Sequence, residues 1–415
     1  MAASLKARFA KQVFVRSLKN LRYGSLELAC PGETLQFGDI HSDLHATIAV
    51  SDDDFFARAI IGGDIGIGES YMDGQWTSPD MCAVIRLGIR NLKVVEKSHP
   101  FLSVITRWKN EWTHRRRSNT VKGSRANISY HYDLGNDFYR LFLDRSMAYS
   151  CGYFLKPSDS LEEAQLQKFD RICSKLSIAP NEKVLEIGTG WGGFAIHAAT
   201  SYGCHVTTTT ISSRQYEYAT DWVARLGLQD RIQVLKSDYR EVGGSYDKIV
   251  SIEMFEAVGH RYYDEFFTTC DRLLEPSGKM LIQTITMNES DFANYVKGCD
   301  WIQKYIFPGG ELASFAEVVR SIARATSMSM CGYEDIGLHY VHTLRAWRDR
   351  FHAALPEVRQ LGFDDRFIRM WEYYLDYCTA ALTERHVSDV QLLFAKDRKL
   401  IDSPTTFAQR RSAKV

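Results

Sequence analysis

The chain has 415 residues, 45% of them hydrophobic and 25% charged, and its 51 basic residues balance its 51 acidic ones. This length predicts two domains, and the neutral balance disfavours nucleic acid as a partner. No apolar run approaches the roughly 20 residues of a membrane span, and no secretory signal opens the chain. The nine cysteines form no C-x-x-C pair, which predicts neither a metal site nor disulfides and favours a cytoplasmic location.

The first predicted elements form a small N-terminal domain, residues 1–112. Its start contains basic residues that alternate with apolar ones. Residues 25–85 are predicted to begin with short strands, followed by a glycine-spaced turn in "GDIGIGESYMDGQW" and a helix-like segment. A second basic stretch, residues 107–125, includes a polar linker at 113–125. Basic residues beside apolar ones suit an anionic bilayer, although a solvated helix face and a flexible linker are the alternative. The basic residues of the start are Lys6, Arg8, Lys11, Arg16, Lys19 and Arg22.

A second domain is predicted over residues 126–415, where helices and strands alternate. Ser160 and Glu163 form a capping box that opens its first helix. Continuous apolar strands between amphipathic helices predict an α/β fold, a doubly wound and mostly parallel sheet. Residues 365–395 are predicted to be helical. The predicted strands are "KVLEIG", "CHVTTTT", "IQVLKSD", "YDKIVSIEM" and "KMLIQTIT", with helices over 192–201, 213–226 and 261–274.

The stretch "VLEIGTGWGG", residues 184–193, fits two cofactor motifs. It matches the G-x-G-x-x-G turn of dinucleotide-binding folds and the E-x-G-x-G turn of S-adenosylmethionine-dependent methyltransferases. Residues 207–210 are all threonine, so no carboxylate stands where a dinucleotide ribose needs one. Trp191 inside the loop and Glu186 before it also suit a cationic ligand without phosphates better, although Glu186 is equally well interpreted as an acceptor that orients the amides of the loop. Because ordinary methyltransferases share that ribose carboxylate, the loop by itself favours S-adenosylmethionine without deciding the matter.

Further segments, in constant order over roughly residues 127–400, resemble the cyclopropane fatty acid synthases, which include the mycolic acid cyclopropane synthases. They include "YHYDLGNDFYRLFLDRSMAYSCGYF", "IVSIEMFEAVGHRYYDEFF", "DWIQKYIFPGGEL" and "IGLHYVHTLRAWRDRF". The resemblance implies a sheet of the methyltransferase type with a smaller N-terminal lipid-binding or dimerisation domain. It implies transfer of a methylene carbon from S-adenosylmethionine to a cis double bond of a phospholipid acyl chain, with bound bicarbonate as the base. The expected partners are a bilayer with unsaturated acyl chains, approached from its cytoplasmic face as a peripheral protein, and a second copy in a homodimer.

The resemblance also assigns residues to both ligands. Those expected to contact S-adenosylmethionine are Tyr149, Ser150, Gly188, Gly190, Trp191, Thr210, Gln215, Asp238 and Tyr239. Those expected to hold bicarbonate are Glu256, Tyr340, the main-chain amide of Cys151, Gln283 and the backbone near Ile285.

One residue departs from the bacterial pattern, because Gln283 in "LIQTI" stands where the bacterial enzymes have histidine. A glutamine amide can donate a hydrogen bond but does not change charge near neutral pH. The departure leaves open a lipid C-methyltransferase that forms methyl- or methylene-branched chains. A lipid-binding module with an idle second domain is the alternative from a different class.

Overall fold

The computed structural model describes residues 5–98 and 134–397, which divide into two compact units. The first unit contains the N-terminal residues up to Leu143, Ser290–Gly309 and Gly337–Ser388. The second contains Asp144–Glu289, Gly310–Ile336 and the residues from Asp389 onward. The predicted linker at 113–125 and the basic stretch 107–125 lie outside the described residues, so the predicted domain boundaries stay a prediction.

The secondary structure is mixed α/β. The helices are α1 (Leu5–Leu18), α2 (Asp54–Met72), α3 (Met81–Ser98), α4 (Asn136–Arg140), α5 (Leu161–Leu176), α6 (Gly193–Tyr202), α7 (Ser213–Arg225), α8 (Tyr263–Leu273), α9 (Glu289–Tyr295), α10 (Trp301–Tyr305), α11 (Phe315–Ala325), α12 (Gly337–Ala353), α13 (Leu355–Gln360) and α14 (Asp365–Thr383). The strands are β1 (Ser25–Cys30), β2 (Glu33–Gly38), β3 (His45–Val50), β4 (Trp76–Thr77), β5 (Lys183–Ile187), β6 (His205–Thr210), β7 (Ile232–Lys236), β8 (Tyr246–Ile252), β9 (Leu274–Met287), β10 (Ser329–Asp335) and β11 (Val387–Ala395). Short 3-10 helices span Tyr239–Glu241, Phe255–Ala257 and His260–Tyr262.

The first unit holds a four-stranded sheet in the order β2-β1-β3-β4. Strand β1 runs antiparallel to β2 and parallel to β3. These strands agree with the short strands predicted for residues 25–85. The unit also buries an aromatic cluster around Phe138, whose ring centroid lies 4.8 Å from that of Trp371 in an edge-to-face arrangement. Edge-to-face aromatic pairs of this kind add stability beyond the area they bury.

The glycine-spaced segment that was predicted as a turn is instead the second half of α2. The helix has one non-helical residue, Gly63, at φ 56° and ψ −135°. A Cβ atom at Gly66 would lie 2.1 Å from the carbonyl oxygen of Arg58, and one at Gly68 would lie 2.4 Å from the Trp301 ring. The glycines therefore permit close packing against this helix, which explains the wrong prediction.

The second unit is built on a seven-stranded sheet in the order β10-β11-β9-β8-β5-β6-β7. Strands β7, β6, β5, β8 and β9 pair in parallel, and β10 is antiparallel to β11. Successive residues Val184 and Leu185 of β5 enter two different buried clusters, so apolar side chains cover both faces. The predicted doubly wound, mostly parallel sheet is confirmed.

The capping box that was predicted to open a helix is present at the start of α5. Ser160 Oγ accepts from the Glu163 N–H at 3.2 Å, and Glu163 Oε2 accepts from the Ser160 N–H at 2.7 Å. The prediction for residues 365–395 was wrong at its end, because α14 stops at Thr383 and β11 follows. Arg385 between them has φ 53°, a left-handed conformation that interrupts the helix.

No helix among residues 5–98 and 134–397 combines the length and the apolar character required for crossing a bilayer.

Candidate active site

The candidate site of the second unit lies where the parallel strands end. Strand β5 pairs with β6 on one side and with β8 on the other. In the chain, however, β5 and β8 are separated by α6, β6, α7 and β7. The strand order reverses at β5, and ligands of open parallel sheets bind at the carboxyl ends of the strands at such a point. The glycine loop leaves β5 at this position.

The glycine loop has the backbone conformation that its sequence requires. Gly188 has φ 102° and Gly190 has φ 52°, both in the left-handed region. The N–H groups of Gly188 and Thr189 both donate to the carbonyl oxygen of Thr209 at 3.1 Å, which anchors the loop to β6. Apart from its chain neighbours, no described residue has an atom within 4 Å of the position of a Cβ on Gly190. The loop therefore presents bare backbone to open space, which fits close approach of a cofactor.

Glu186, in β5 just before the loop, is buried and hydrogen-bonded. Its Oε2 lies 2.6 Å from Thr208 Oγ1, which is also 2.8 Å from Thr189 Oγ1. Burial raises the pKa of Glu186 to about 8. These contacts and the raised pKa favour a role for Glu186 in orienting the loop over a role as a negative charge for a cationic ligand.

The residues predicted to replace the ribose carboxylate come together after β6. Thr210 Oγ1 donates to Gln215 Oε1 at 2.9 Å and accepts from the Ser212 N–H at 3.1 Å. Ser212 caps α7, which places Gln215 in the first turn of that helix. Trp191 of the glycine loop is also buried.

Asp238 and Tyr239, predicted to flank the adenine, follow β7. Both carboxylate oxygens of Asp238 accept from the Arg240 guanidinium at 2.8 Å, and Oδ1 also accepts from the Arg240 N–H at 3.1 Å. The Tyr239 ring packs edge-to-face on Phe266, with 5.3 Å between centroids. Asp238 therefore caps its own turn, and contact of these residues with adenine stays a prediction.

Tyr149 and Ser150 lie in the extended segment before α5. The Ser150 hydroxyl accepts from Lys168 Nζ at 2.6 Å, and the Ser150 carbonyl accepts from Gln165 Nε2 at 2.8 Å. Burial lowers the pKa of Lys168, which is fully enclosed. Two side chains of α5 thus hold the segment that leads into Cys151.

Glu256 lies in the 3-10 helix after β8, and one of its oxygens has no hydrogen-bond partner in the part of the chain that the structure describes. Its Oε1 accepts from the Ile285 N–H at 2.6 Å and from Thr284 Oγ1 at 2.9 Å. Its Oε2 is buried and makes no hydrogen bond with any residue of 5–98 or 134–397. Burial, and then the nearby charge of Glu253, raise the pKa of Glu256 to about 7. A carboxyl of this kind can exchange a proton near neutral pH.

Gln283, in β9, is fully buried and uses its whole amide within the protein. Its Nε2 donates to Glu253 Oε1 at 2.8 Å and to Asp389 Oδ2 at 3.0 Å. Its Oε1 accepts from Gln391 Nε2 at 2.9 Å. Lys175 Nζ donates to Gln391 Oε1 at 2.6 Å, and an ammonium group can only donate. The lysine therefore fixes the orientation of both amides along this chain of hydrogen bonds.

Glu253 is the site residue that the sequence analysis missed. Its Oε1 accepts from the main-chain N–H of Cys151 at 2.8 Å, in addition to the hydrogen bond from Gln283. It directly follows β8, with φ 49°. An acidic residue at the carboxyl end of a central parallel strand is the signal that would have found it.

Cys151 and Tyr340 complete the predicted set. The Cys151 side chain is fully buried, and burial raises the pKa of its thiol well above the usual value, which does not suit a nucleophile. Tyr340 is buried on α12 in the first unit, and its role stays a prediction.

Comparison with known proteins decides the family. Residues 119–392 match the sequence model of the mycolic acid cyclopropane synthetase family. The chain belongs to this family. It is 38% identical to a cyclopropane-fatty-acyl-phospholipid synthase of Escherichia coli (86% of this chain, 90% of that protein). It is 37% identical to a tuberculostearic acid methyltransferase of Mycobacterium tuberculosis (79% of this chain, 78% of that protein).

The family's fold is also that of a solved relative. Mycolic acid cyclopropane synthase CmaA1, complexed with SAH and CTAB, matches with a TM-score of 0.61 at 32% identity, covering 66% of this chain and 98% of that one. This member of the mycolic acid cyclopropane synthetase family is therefore an S-adenosylmethionine-dependent methyltransferase that modifies lipids. The open backbone at Gly190 and the Thr210–Gln215 pair after β6 fit that cofactor.

Three of the groups predicted to donate to bicarbonate, at Cys151, Gln283 and Ile285, already donate to carboxyl groups of the protein. The Cys151 N–H and one Gln283 hydrogen point at Glu253, and the Ile285 N–H points at Glu256. The second Gln283 hydrogen goes to Asp389. A bicarbonate ion at this place would have to displace a side-chain carboxylate of the protein from its hydrogen bonds.

Proposed function

We propose that this protein transfers a methylene carbon from S-adenosylmethionine to a cis double bond in a phospholipid acyl chain and closes a cyclopropane ring. The observation that carries the proposal is the buried Oε2 of Glu256, which has no hydrogen-bond partner among the described residues and belongs to a carboxyl whose pKa is about 7. Glu256 follows Met254, which lies against Gly188 of the cofactor loop. Cyclopropane formation needs such proton acceptors, because the added methyl group must lose a proton. The extensive match with the Escherichia coli phospholipid synthase supports the same substrate class.

S-adenosylmethionine supplies an electrophilic methyl group. The π electrons of an isolated double bond are a weak nucleophile, and their reaction leaves a cation on the acyl chain beside the new methyl group. The chain's own residues must then keep water away from the cation and take up one proton. Fully buried side chains at Cys151, Gln283 and Asp389 support the first task. The carboxyl groups of Glu253, Glu256 and Asp389, which lie close together, support the uptake of the proton.

A lipid C-methyltransferase is the second candidate, and the similarity to the tuberculostearic acid methyltransferase favours it. Both reactions share the methyl transfer and differ in the fate of the cation. Loss of a proton from the new methyl group of the first-formed cation closes the ring. Loss from a neighbouring chain carbon leaves a methyl-branched alkene, whereas a hydride shift from the methyl-bearing carbon to the cationic carbon, followed by loss of a methyl proton, leaves a methylene branch. The position of the base relative to the cation therefore influences which product forms.

Proton NMR of lipid methyl esters from reactions with unsaturated phospholipid vesicles separates the two candidates. Mass alone does not, since a cyclopropane and a methylene branch have the same formula. We expect upfield ring-proton signals from the wild-type protein. If vinylidene signals appear without ring-proton signals, the product is the branched chain and the cyclopropane assignment is wrong.

We also propose that the protein docks on anionic bilayers as a peripheral protein, with α1 contributing. Arg8, Arg16 and Phe9 are exposed on this helix, Phe9 by 69%, while Ala7 and Ala10 are buried against the unit. Basic residues around an exposed aromatic ring suit the headgroup region. Lys11 instead pairs with Glu33 at 2.7 Å within the unit. A homodimer stays a prediction.

A further inference from the structure

We infer that the carboxylate of Glu253 takes the place of bicarbonate as the base that removes the proton from the new methyl group. The inference rests on the proposed function and goes further, because it names the base. Two donors that were assigned to the ion, the Cys151 main-chain N–H and the Gln283 amide, converge on the same atom, Glu253 Oε1, each at 2.8 Å. Bicarbonate and a glutamate side chain present the same acceptor, a carboxylate oxygen. The protein therefore supplies from its own side chain the carboxylate oxygen that its relatives are expected to obtain from bound bicarbonate.

The backbone at Glu253 supports a functional reason for the residue. Its φ of 49° lies in the left-handed region, which glycine adopts without strain and glutamate does not. The Glu253 N–H donates to the carbonyl oxygen of Gln283 at 2.8 Å, so the turn is tied to β9. Unfavourable conformations of this kind persist where surrounding contacts hold them, and they concentrate at functional sites. A glutamate here has a cost that a glycine would avoid.

The neighbours of Glu253 hold its carboxylate in one position. Gln283 bridges it to Asp389, and burial and the neighbouring carboxylates raise the pKa of Asp389 well above its usual value. Burial thus favours the neutral form of Asp389, whose carboxyl group interacts with that of Glu253. The amino group of Lys168 is buried in the same surroundings, where a positive charge favours ionised carboxyl groups.

Glu253 also lies at the edge of the sheet where the cofactor is expected. Its side chain is only partly buried, which leaves part of its surface accessible. The next residue, Met254, lies against the glycine loop, since a Cβ on Gly188 would come within 2.9 Å of the Met254 Cβ. The loop and the carboxylate therefore border one another at the carboxyl ends of β5 and β8.

The chemical step balances without a further reactant. A C–H bond of the new methyl group breaks, and its electron pair forms the C–C bond that closes the ring. The proton goes to the Glu253 carboxylate, and the positive charge of the lipid is discharged. Glu256, whose pKa is about 7, is the nearby group that can take part in returning the proton to water.

The test compares three proteins in buffer freed of carbon dioxide and in buffer with added bicarbonate. Wild-type ring formation should change less than twofold between the buffers. Glu253→Gly should lose on the order of 10²–10³ in rate, because a general base contributes about 10²–10⁴. Added bicarbonate should restore much of that loss, since the glycine vacates the space and frees the Cys151 and Gln283 donors. Glu253→Gln should be equally slow and should not respond, because its amide fills the space.

Asn181→Gly is the matched control, since Asn181 also has a left-handed φ of 66° but lies on the surface before β5. It should retain the wild-type rate in both buffers. Binding of ¹³C-labelled bicarbonate, followed by NMR line broadening, gives a readout that is independent of activity. The glycine variant should bind the ion and the wild type should not.

The possible outcomes distinguish a failure of the Glu253 assignment from a failure of the proposed function. A wild-type protein that forms rings only when bicarbonate is added, or that binds the labelled ion, overturns the assignment of Glu253 and leaves the proposed function standing. A wild-type protein that yields only branched products in either buffer removes the cyclopropane assignment itself. If Glu253→Gly does not fold, the wild-type and Glu253→Gln measurements still decide the question.

Discussion

The main-chain N–H of Cys151 donates to Oε1 of Glu253 across 102 positions of the chain, at 2.8 Å. This hydrogen bond ties the extended segment before α5 to the end of β8. It brings the residues predicted to contact S-adenosylmethionine, Tyr149 and Ser150, beside the carboxyls that are proposed to handle the proton. The predicted cofactor contacts and the proposed base therefore meet on the same short segment.

Replacing Gln283 by histidine should destabilise the protein. The amide donates two hydrogen bonds and accepts one, and an imidazole has only two nitrogens with which to replace three contacts. A buried partner left unpaired costs about 1–3 kcal/mol, and chemical denaturation can measure this loss. Gln233→His, at an exposed position of β7, should change stability by no more than about 0.5 kcal/mol. Equal effects of the two substitutions would contradict the network around Gln283.

Gly190→Val should abolish binding of S-adenosylhomocysteine, measured by calorimetry. The substitution puts a β-branched side chain at φ 52° and into the open space that faces the loop. Gly227→Val is the matched control, because Gly227 has φ 66°, no atom within 4 Å of its Cβ position, and a place after α7 outside the loop. It should bind normally. Loss of binding in both variants would point to general misfolding, and tight NAD binding by the wild type would refute the cofactor assignment.

The rate of ring formation should fall as the pH drops below about 7. The pKa of Glu256 is raised to about 7, so the carboxyl holds its proton below that pH and can accept one only above it. The Glu256→Gln variant should be slower by roughly 10²–10³ and should lack this ionisation. Initial rates from pH 5.5 to 8.5 would check the profile, with S-adenosylhomocysteine binding as the control for folding. An unchanged midpoint in the variant would assign the ionisation to another group.

Charge reversal on α1 should weaken binding to anionic vesicles. Arg8→Glu with Arg16→Glu removes the exposed basic residues that flank Phe9. Co-sedimentation should fall in the double variant, and wild-type binding should fall as salt rises, because exposed charges are screened beyond about 8–10 Å at moderate ionic strength. Arg225→Glu, an exposed arginine at the end of α7, is the control. Binding that ignores both salt and vesicle charge would leave α1 with a structural role.

The two glycines Gly62 and Gly68 of α2 should respond oppositely to alanine. A Cβ on Gly68 would lie 2.4 Å from the Trp301 ring, so overpacking should cost about 1–3 kcal/mol. No other side chain or distant backbone among the described residues lies within 4 Å of a Cβ on Gly62, where alanine should be neutral or stabilise by up to about 1 kcal/mol. Thermal unfolding of both variants would show the difference. Similar melting temperatures would mean that the helix moves away from Trp301.

The sequence by itself was sufficient for the elements that depend on local pattern. The apolar runs of β5 and β8, the capping box at Ser160 and the glycines of the loop specify their structures through contacts within a few residues. The order of these elements was enough to predict a mostly parallel sheet with its site at the carboxyl ends of the strands.

Only the tertiary structure decided which partners the polar site residues have. Gln283 was interpreted as a donor to a bound ion, but its partners Glu253 and Asp389 come from β8 and β11, and β11 itself had been predicted as helix. The glycines of α2 were likewise interpreted as a turn, because Trp301, which requires the missing Cβ at Gly68, is far away in sequence. Local patterns report backbone conformation and burial, whereas hydrogen-bond partners and close packing depend on contacts that form only when distant segments meet.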